Sequence, residues 1–230
     1  PSHYKEEDIL RFDLPHIESF TEEQYNPYED EPRLQHPYAK LEILCSEISV
    51  NYEQLVLTKQ VHEDIIKDVD KSFCGNGIAF PNQFESADGL ICGQSNVPIT
   101  VFGADCLPVM FLDPENKVIA TAHSGWRGTL GKISQKTAWK MINEYNSKPQ
   151  NIIAAIGPSI RACHYEVSDE LGEQFFEAFG DECVKMVNKK PHINMQQAVR
   201  QQLFELGVEN VTDSGICTYC NSDMYFSHRK

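Results

Sequence analysis

The chain has 230 residues and a mass of 26.2 kDa, with 41% hydrophobic and 23% charged residues. A chain of this length buries enough apolar surface to fold without cross-links, and its composition excludes disordered and fibrous proteins. Its 20 basic and 34 acidic residues give a net charge of −14, which disfavours nucleic-acid and membrane-surface binding. Residues 1–55 hold 13 acids and 4 bases, so we expect a solvated acidic surface there.

The chain offers no stretch of the roughly 18 apolar residues that a membrane helix needs. Its first residues lack the basic-then-apolar pattern of a secretory signal. We therefore expect a soluble, cytoplasmic protein. Its eight cysteines should then be reduced, which leaves their thiols available for metal binding or catalysis.

The predicted elements begin after a proline-rich, irregular stretch over residues 1–37. Helices are predicted from apolar residues at helical spacing and from capping residues, at 38–48, 130–145, 168–179 and 194–206. Strands are predicted from short apolar runs, at 55–61, 89–92, 99–103, 107–112, 118–122, 151–156 and 208–212. Central strands followed by helices favour an α+β fold. We expect one domain over 1–230, with an irregular, acidic N-terminal portion at 1–54.

Three residues that bind soft metals follow predicted strands. His62, Cys106 and His123 each stand where a strand is expected to end, so their side chains should meet at one rim of the sheet. Imidazole and thiolate suit zinc, and three protein ligands with an open fourth position are typical of catalytic zinc. A surface or core role for each residue is the alternative. Asp105, beside Cys106, is expected to orient a ligand, to assist proton transfer or simply to form a turn.

The segment His123–Thr129 reads as a strand, a glycine-flanked turn and the start of a helix. Backbone N–H groups, the helix dipole and the Arg127 guanidinium favour an anion such as phosphate at this turn. Gly125 and Gly128 would let the backbone approach that anion closely. The alternative is a plain connection with Arg127 on the surface.

Eight motifs occur in the order that they have in one protein family. They are Gln60-Val61-His62, Ser86-Ala87-Asp88-Gly89, Gly103-Ala104-Asp105-Cys106, Ala122-His123-Ser124-Gly125-Trp126-Arg127-Gly128, Gly157-Pro158-Ser159-Ile160, Tyr165-Glu166-Val167, Cys217-Thr218-Tyr219-Cys220 and Tyr225-Phe226-Ser227-His228-Arg229. Over residues 55–230 the chain resembles the multicopper polyphenol oxidase-like, or laccase-domain, family. That family includes zinc-dependent purine nucleoside phosphorylases.

The resemblance implies an α-β-β-α layered sandwich like the catalytic domain of the cytotoxic necrotising factor toxins. It implies that His62, Cys106 and His123 hold zinc, with copper less favoured, and that Arg127 is the family's motif arginine. It also implies phosphorolysis of adenosine, inosine, guanosine or methylthioadenosine to the free base and ribose 1-phosphate. Adenosine deamination is the implied side activity.

Three alternative functions stay open at this point. A Cys106 nucleophile activated by His123 would make the protein a cysteine hydrolase or deamidase. A copper oxidase is disfavoured because none of the eight histidines forms a His-x-His pair. A non-catalytic, zinc-stabilised module that binds a nucleoside is the third, because residues 16–38 lack the family's Thr-Arg-x-Gly-Gly-like segment.

Two further motifs contain cysteine. Cys217-x-x-Cys220 would suit a redox pair or half of a zinc knuckle, but the chain has no second Cys-x-x-Cys, so a structural turn is the favoured interpretation. Cys163-His164 follows a glycine-proline turn, and there a pocket role and a structural role are equally expected.

Overall fold

A computed structural model of the chain describes residues 39–230, and the predictions for residues 1–38 lie outside this range. The chain divides into two compact units, one ending at Ile48 and the other spanning Ser49–Lys230. Helix α1 (Ala39–Glu47) lies in the first unit. The helical spacing of its apolar residues predicts this helix. The candidate site residues all lie in the second unit.

The second unit combines eight strands with four α-helices among its described residues. The strands are β1 (Ile66–Asp68), β2 (Gly89–Cys92), β3 (Leu107–Asp113), β4 (Val118–Ser124), β5 (Ile153–Ile156), β6 (Val184–Val187), β7 (Lys190–Ile193) and β8 (Asn210–Asp213). The helices are α2 (Trp126–Leu130), α3 (Ile133–Glu144), α4 (Asp169–Phe179) and α5 (Met195–Phe204). None of the helices in the described part of the chain has the length and apolar character needed to cross a membrane.

Six strands form one mixed sheet in the order β1-β2-β4-β3-β5-β8, and β6 pairs with β7 in a separate hairpin. The β2-β4-β3-β5 centre is antiparallel, whereas β1 and β8 join parallel at the two edges. The fold is therefore a mixed α and β arrangement around a central sheet, and β3 and β4 form the hairpin at its middle.

The two faces of the sheet take part in different hydrophobic clusters. Val109 and Phe111 of β3 belong to the larger cluster, which includes buried residues of α3 and α5 such as Met141 and Leu203. Leu90 of β2 belongs to a second cluster, which contains apolar residues from the loops around that strand. Because successive residues of a strand point to opposite faces, β2 is buried on both.

Two strand predictions are wrong. Residues 55–61 and 99–103 are irregular and meet in a single parallel bridge between Val56 and Ile99. Leu55, Val56 and Leu57 are buried, but the N–H groups of Val56 and Leu57 donate to Pro98 and Asn76 rather than to one neighbouring strand. The apolar run thus reflects burial of a loop, which short runs do not distinguish from a strand.

The helix predicted over 130–145 is divided in the structure. Helix α2 ends at Leu130, and Lys132, which adopts a left-handed conformation with φ of 62°, is the N-cap of α3. The N-terminal ends of α4 and α5 follow the predicted caps. Ser168 Oγ accepts from the Leu171 N–H at 3.3 Å, and Asn194 Oδ1 accepts from the Gln197 N–H at 3.2 Å.

Candidate metal and active site

The register of the central hairpin brings Cys106 and His123 together. Leu107 of β3 pairs with Ser124 of β4, and Pro108 pairs with His123. Cys106, one residue before β3, therefore stands at the same end of the hairpin as His123. Strand β2 follows on the other side of β4, where Gly89 pairs with Ala122. The rim of the sheet at this end thus collects residues from three neighbouring strands.

Asp88, immediately before β2, connects His62 to this rim. Its buried carboxylate accepts from the backbone N–H groups of Val61, His62 and Glu63 at 2.9–3.1 Å. His62 has a φ of 65°, a left-handed conformation that few non-glycine residues adopt. The three hydrogen bonds to Asp88 hold the backbone in that conformation, as expected for strain at a functional site.

Asp88 also fixes the orientation of His123. Its Oδ1 lies 2.9 Å from His123 Nδ1, and the two side chains are 0% and 3% exposed. Because Nδ1 is engaged, Nε2 is the ring nitrogen left for a ligand. A carboxylate behind a histidine in this way sets the tautomer and increases the basicity of metal-binding histidines.

The ligand atoms of His62, Cys106 and His123, which we call the rim site, all lie within 4.8 Å of one another. The two imidazole rings meet edge to face with centroids 4.8 Å apart. His62 is exposed and Cys106 is half-buried, so the rim site opens to solvent. A Cβ atom at Gly125 would lie 3.0 Å from Cys106 Sγ, so a larger residue there would crowd the thiol.

The surroundings of the rim site shift the pKa values of its two histidines in opposite directions. Partial burial, followed by the nearby His123, lowers the pKa of His62 below its ordinary value. Burial also works against protonation of His123, but hydrogen bonding with Asp88 and Cys106 outweighs it and raises the pKa to about 9. Burial alone would raise the pKa of Asp88, but His123 and the backbone N–H groups lower it.

Two imidazoles and one thiol are a donor set that fits zinc, with three protein ligands and room for a fourth. The strand-end argument that predicts this trio is only partly right. His123 lies inside β4 and Cys106 precedes β3, while His62 belongs to an irregular segment. The three residues nevertheless meet, because the β2-β4-β3 order places their segments side by side.

Arg127 and the two glycines stand in the turn that follows β4. Arg127 is exposed, and its guanidinium lies over the Trp126 ring at 4.3 Å from the centroid. Gly128 is buried, and a Cβ atom there would meet the Glu63 and His123 carbonyl oxygens at 3.1 and 3.2 Å. Close packing around the rim site thus leaves little room for a side chain at Gly125 or Gly128, and the exposed Arg127 remains available to an anion.

Asp105 is held by two donors from the C-terminal part of the chain. Its side chain is 7% exposed and its φ is 90°, again left-handed. Thr218 Oγ1 donates to Asp105 Oδ1 at 2.6 Å, and the Arg229 N–H donates to Oδ2 at 2.9 Å. These hydrogen bonds fix the residue before Cys106 and connect Thr218 and Arg229 to the rim site.

Sequence reasoning missed Asp88, Thr218, Arg229 and Tyr165 as site residues. The Tyr165 ring is buried below the Arg229 guanidinium, at 5.2 Å from its centroid, and burial raises the pKa of Tyr165 to about 12. All four stand within the family motifs, but an aspartate before a glycine is also an ordinary turn signal. Nothing in the spacing distinguishes Asp88 from a turn residue.

Comparison with protein families gives one match that spans most of the chain. The family described as multi-copper polyphenol oxidoreductase laccase matches residues 30–230. A Clostridium acetobutylicum protein named purine nucleoside phosphorylase is 32% identical over 78% of this chain and 72% of its own. A prokaryotic protein named adenosine deaminase is 31% identical over 81% of this chain and 74% of its own.

A mouse relative is a longer protein. It is named purine nucleoside phosphorylase and is 35% identical over 63% of this chain, which spans 35% of the mouse protein's length. Among solved structures, the Bacillus licheniformis hypothetical protein YfiH matches with a TM-score of 0.79 and 28% identity. The match covers 85% of this chain and 76% of that one. The central sheet and its helices are thus shared with a known fold.

Proposed function

The chain belongs to the multi-copper polyphenol oxidoreductase laccase family, and we propose that it is a zinc-dependent purine nucleoside phosphorylase. Its substrates would be phosphate and adenosine, inosine, guanosine or methylthioadenosine, and its products the free base and ribose 1-phosphate. The observation that carries the proposal is the rim site, where His62, Cys106 and His123 converge beside an exposed arginine in a chain related to named phosphorylases.

The rim site residues have defined tasks in this reaction. A zinc ion held by His62, Cys106 and His123 would supply positive charge that stabilises an oxygen nucleophile or the developing negative charge. Arg127 would bind phosphate through its guanidinium, whose planar donors match phosphate oxygens in pairs. Asp88 would keep His123 in the tautomer that presents Nε2 and would hold the His62 backbone in place.

Of the roles predicted for Asp105, orientation fits its surroundings best. Its two carboxylate oxygens accept from Thr218 Oγ1 and from the Arg229 N–H, so the group is occupied by hydrogen bonds. We propose that it positions Cys106 and does not itself transfer a proton. The Cys106 thiol would then serve as a metal ligand.

Adenosine deamination is a second candidate activity, because one relative is named adenosine deaminase. Phosphorolysis of adenosine releases adenine, whereas deamination releases ammonia and leaves the glycosidic bond intact. An assay of adenosine with and without phosphate therefore separates the two reactions in one experiment.

The decisive experiment measures base release from inosine against phosphate concentration, together with the zinc content of the purified chain. Phosphorolysis requires phosphate-dependent hypoxanthine release that is lost on chelation and restored by zinc. A cysteine hydrolase or deamidase would show alkylation of Cys106 that bound zinc does not block. Binding of inosine without turnover at any phosphate concentration would identify a non-catalytic module.

The arrangement of the sheets and helices into layers is also part of this proposal. We propose that the unit has the α-β-β-α sandwich of the family and shares it with the cytotoxic necrotising factor catalytic domain. The burial of β2 on both faces supports a layer on each side of the sheet at that strand. A single domain over 1–230 and a cytoplasmic location stay predictions from the sequence, as does zinc in preference to copper.

A further inference from the structure

A second group of metal-binding side chains lies outside the rim site. Cys163, His164, Cys217 and Cys220, which we call the cysteine cluster, have their ligand atoms within 4.8 Å of one another. We propose that the cysteine cluster is a structural zinc site in which all four side chains bind one ion. The function proposed above does not require this site.

The distances in the cysteine cluster match a tetrahedral ion. Cys163 Sγ and Cys220 Sγ are 3.8 Å apart, and His164 Nδ1 lies 3.3 Å from each of these sulfurs. Two sulfur ligands about 2.3 Å from one tetrahedral ion are about 3.8 Å apart. A disulfide needs about 2.05 Å between its sulfur atoms, so the 3.8 Å separation is compatible with two ligands of one ion and not with a disulfide.

Backbone hydrogen bonds connect the two halves of the cysteine cluster, which are Cys163 with His164 and Cys217 with Cys220. The Ser159 N–H donates to the Ile216 carbonyl at 3.2 Å, and the Thr218 N–H donates to the Ser159 carbonyl at 3.2 Å. The turn that contains Cys163 and His164 therefore stands beside the turn that contains Cys217 and Cys220. Such preformed positions lower the entropy lost when an ion binds.

The imidazole of the cysteine cluster is also oriented in advance. The His164 ring stacks on Tyr219 with centroids 4.2 Å apart and planes 18° apart. Tyr219 lies between Cys217 and Cys220 in the sequence, so the stack connects the two halves a second time. Three thiols and one imidazole with no open position are the ligand set of structural zinc sites.

The cysteine cluster is linked to the rim site through one residue. Thr218, between the two cysteines of the Cys-x-x-Cys motif, donates its hydroxyl to Asp105, whose neighbour Cys106 is a rim-site ligand. An ion in the cysteine cluster would thus fix the turn that holds Asp105. We expect its removal to loosen the C-terminal turn first.

The test uses the full wild-type chain and zinc as the probe. Cysteines are alkylated after incubation with zinc or with a chelator, and labelled peptides are mapped by mass spectrometry. We expect zinc to protect Cys163 and Cys220 by at least about tenfold, although both are exposed. Cys74 belongs to neither group and serves as the internal reference, with the same labelling rate in both conditions.

Variants then separate the two sites. Zinc content should be about two ions per chain in the wild type and about one in either Cys220→Ser or His123→Ala. In His123→Ala, Cys106 should lose its protection while Cys163 and Cys220 keep theirs. If the proposed phosphorylase activity fails, this protection pattern still stands or falls by itself.

Three results would overturn the proposal. One is equal labelling of Cys163 and Cys220 with and without zinc in the wild-type chain. A second is an unchanged zinc content in Cys220→Ser relative to the wild type. The third is a Cys163–Cys220 disulfide in zinc-loaded protein prepared without reductant. The first and third need no variant, so the proposal is tested even where a substitution prevents folding.

Discussion

The rim site and the cysteine cluster are built from the same two kinds of side chain in different proportions. The rim site has two imidazoles and one thiol, and its most buried member, His123, is backed by a carboxylate. The cysteine cluster has three thiols and one imidazole in two adjoining turns, and Tyr219 supports its imidazole. One site has three ligands beside an exposed arginine, and the other has four.

The difference in ligand number indicates a difference in task. Three ligands leave a coordination position for substrate, which is typical of catalytic zinc, whereas four ligands close the shell and are typical of structural zinc. Removing a ligand should therefore affect rate at the rim site and stability at the cysteine cluster. The predictions that follow test this division, starting with the largest expected effect.

The largest effect is expected for His123→Ala. Losing a metal that stabilises charge costs several kcal/mol in the transition state, which corresponds to about 10³-fold in kcat/KM for phosphorolysis. His164→Ala should lower the rate less than His123→Ala does, and zinc binding at the cysteine cluster should no longer raise its Tm. Steady-state kinetics and thermal unfolding of the two variants check the contrast. An undiminished rate in His123→Ala would remove the rim site from catalysis.

A smaller effect is expected for Asp88→Asn. The amide cannot accept all the hydrogen bonds that Asp88 receives from Val61, His62, Glu63 and His123. Loss of the carboxylate behind a metal-binding histidine typically lowers metal affinity about 10- to 100-fold. Competition titrations with a zinc indicator measure this affinity for the rim site when the cysteine cluster is already saturated.

Asp113→Asn is the matched control for Asp88→Asn. Asp113 is also fully buried, lies at the far end of β3, and accepts from the N–H groups of Glu115 and Asn116 at 3.0 and 3.2 Å. We expect Asp113→Asn to lower the free energy of unfolding and to leave the zinc affinity of the rim site unchanged. Equal loss of affinity in both variants would mean that Asp88 acts through general stability.

The role of Asp88 in orienting His123 is not predictable from the sequence. The motifs identified His62, Cys106 and His123, and apolar runs predicted β2, β3 and β4. The register that brings the three residues together depends on long-range pairing, which local patterns do not contain. An aspartate before Gly89 has the same sequence pattern whether it forms a turn or orients His123.

Local patterns do not predict the proximity of the four residues in the cysteine cluster, for the same physical reason. A four-ligand zinc site needs a second pair of ligands, and because the chain has no second Cys-x-x-Cys, the sequence favours a structural turn at Cys217-x-x-Cys220. Cys163-His164 is distant in sequence and is brought alongside the Cys-x-x-Cys motif by the bridge between Ser159 and Cys217. Only the fold shows this proximity. The wrong strand at 55–61 has a related cause, because burial alone does not fix backbone pairing.

A third prediction concerns what holds the cysteine cluster without metal. Arg161 Nη1 and Nη2 donate to Asp213 Oδ1 and Oδ2 at 2.8 and 2.9 Å. Arg161 precedes Cys163 and His164 in the sequence, and Asp213 precedes Cys217 and Cys220, so this ion pair connects the two segments of the cluster. Charged hydrogen bonds of this kind contribute about 1.5–3 kcal/mol, so Asp213→Asn should lower the free energy of unfolding by about 2 kcal/mol. Chemical denaturation in the presence of a chelator measures this difference at pH 7.

The stability difference between wild type and Asp213→Asn should depend on pH in a defined direction. Burial alone would raise the pKa of Asp213, but the hydrogen bonds from Arg161 lower it below the unfolded value of about 3.9. The stabilisation is therefore complete above about pH 5 and is lost as the pH falls through the folded pKa. Glu166→Gln is the control, because its exposed pair with Lys190 at 3.7 Å should contribute little. A difference between Asp213→Asn and wild type that persists undiminished at pH 2 would contradict this assignment.

The smallest effect is expected at Arg127, the residue proposed to bind phosphate beside the rim site. Arg127→Ala should raise the KM for phosphate about tenfold, since one charged hydrogen-bonding group contributes roughly 1.4 kcal/mol. Arg127→Lys should recover only part of this loss, because lysine keeps the charge but not the planar pair of donors. Lys117→Asn removes an exposed cation in the turn at the opposite end of the β3-β4 hairpin and controls for net charge. If that variant raises the KM for phosphate equally, the arginine acts through the general field of the protein and the open side of the rim site has no dedicated anion contact.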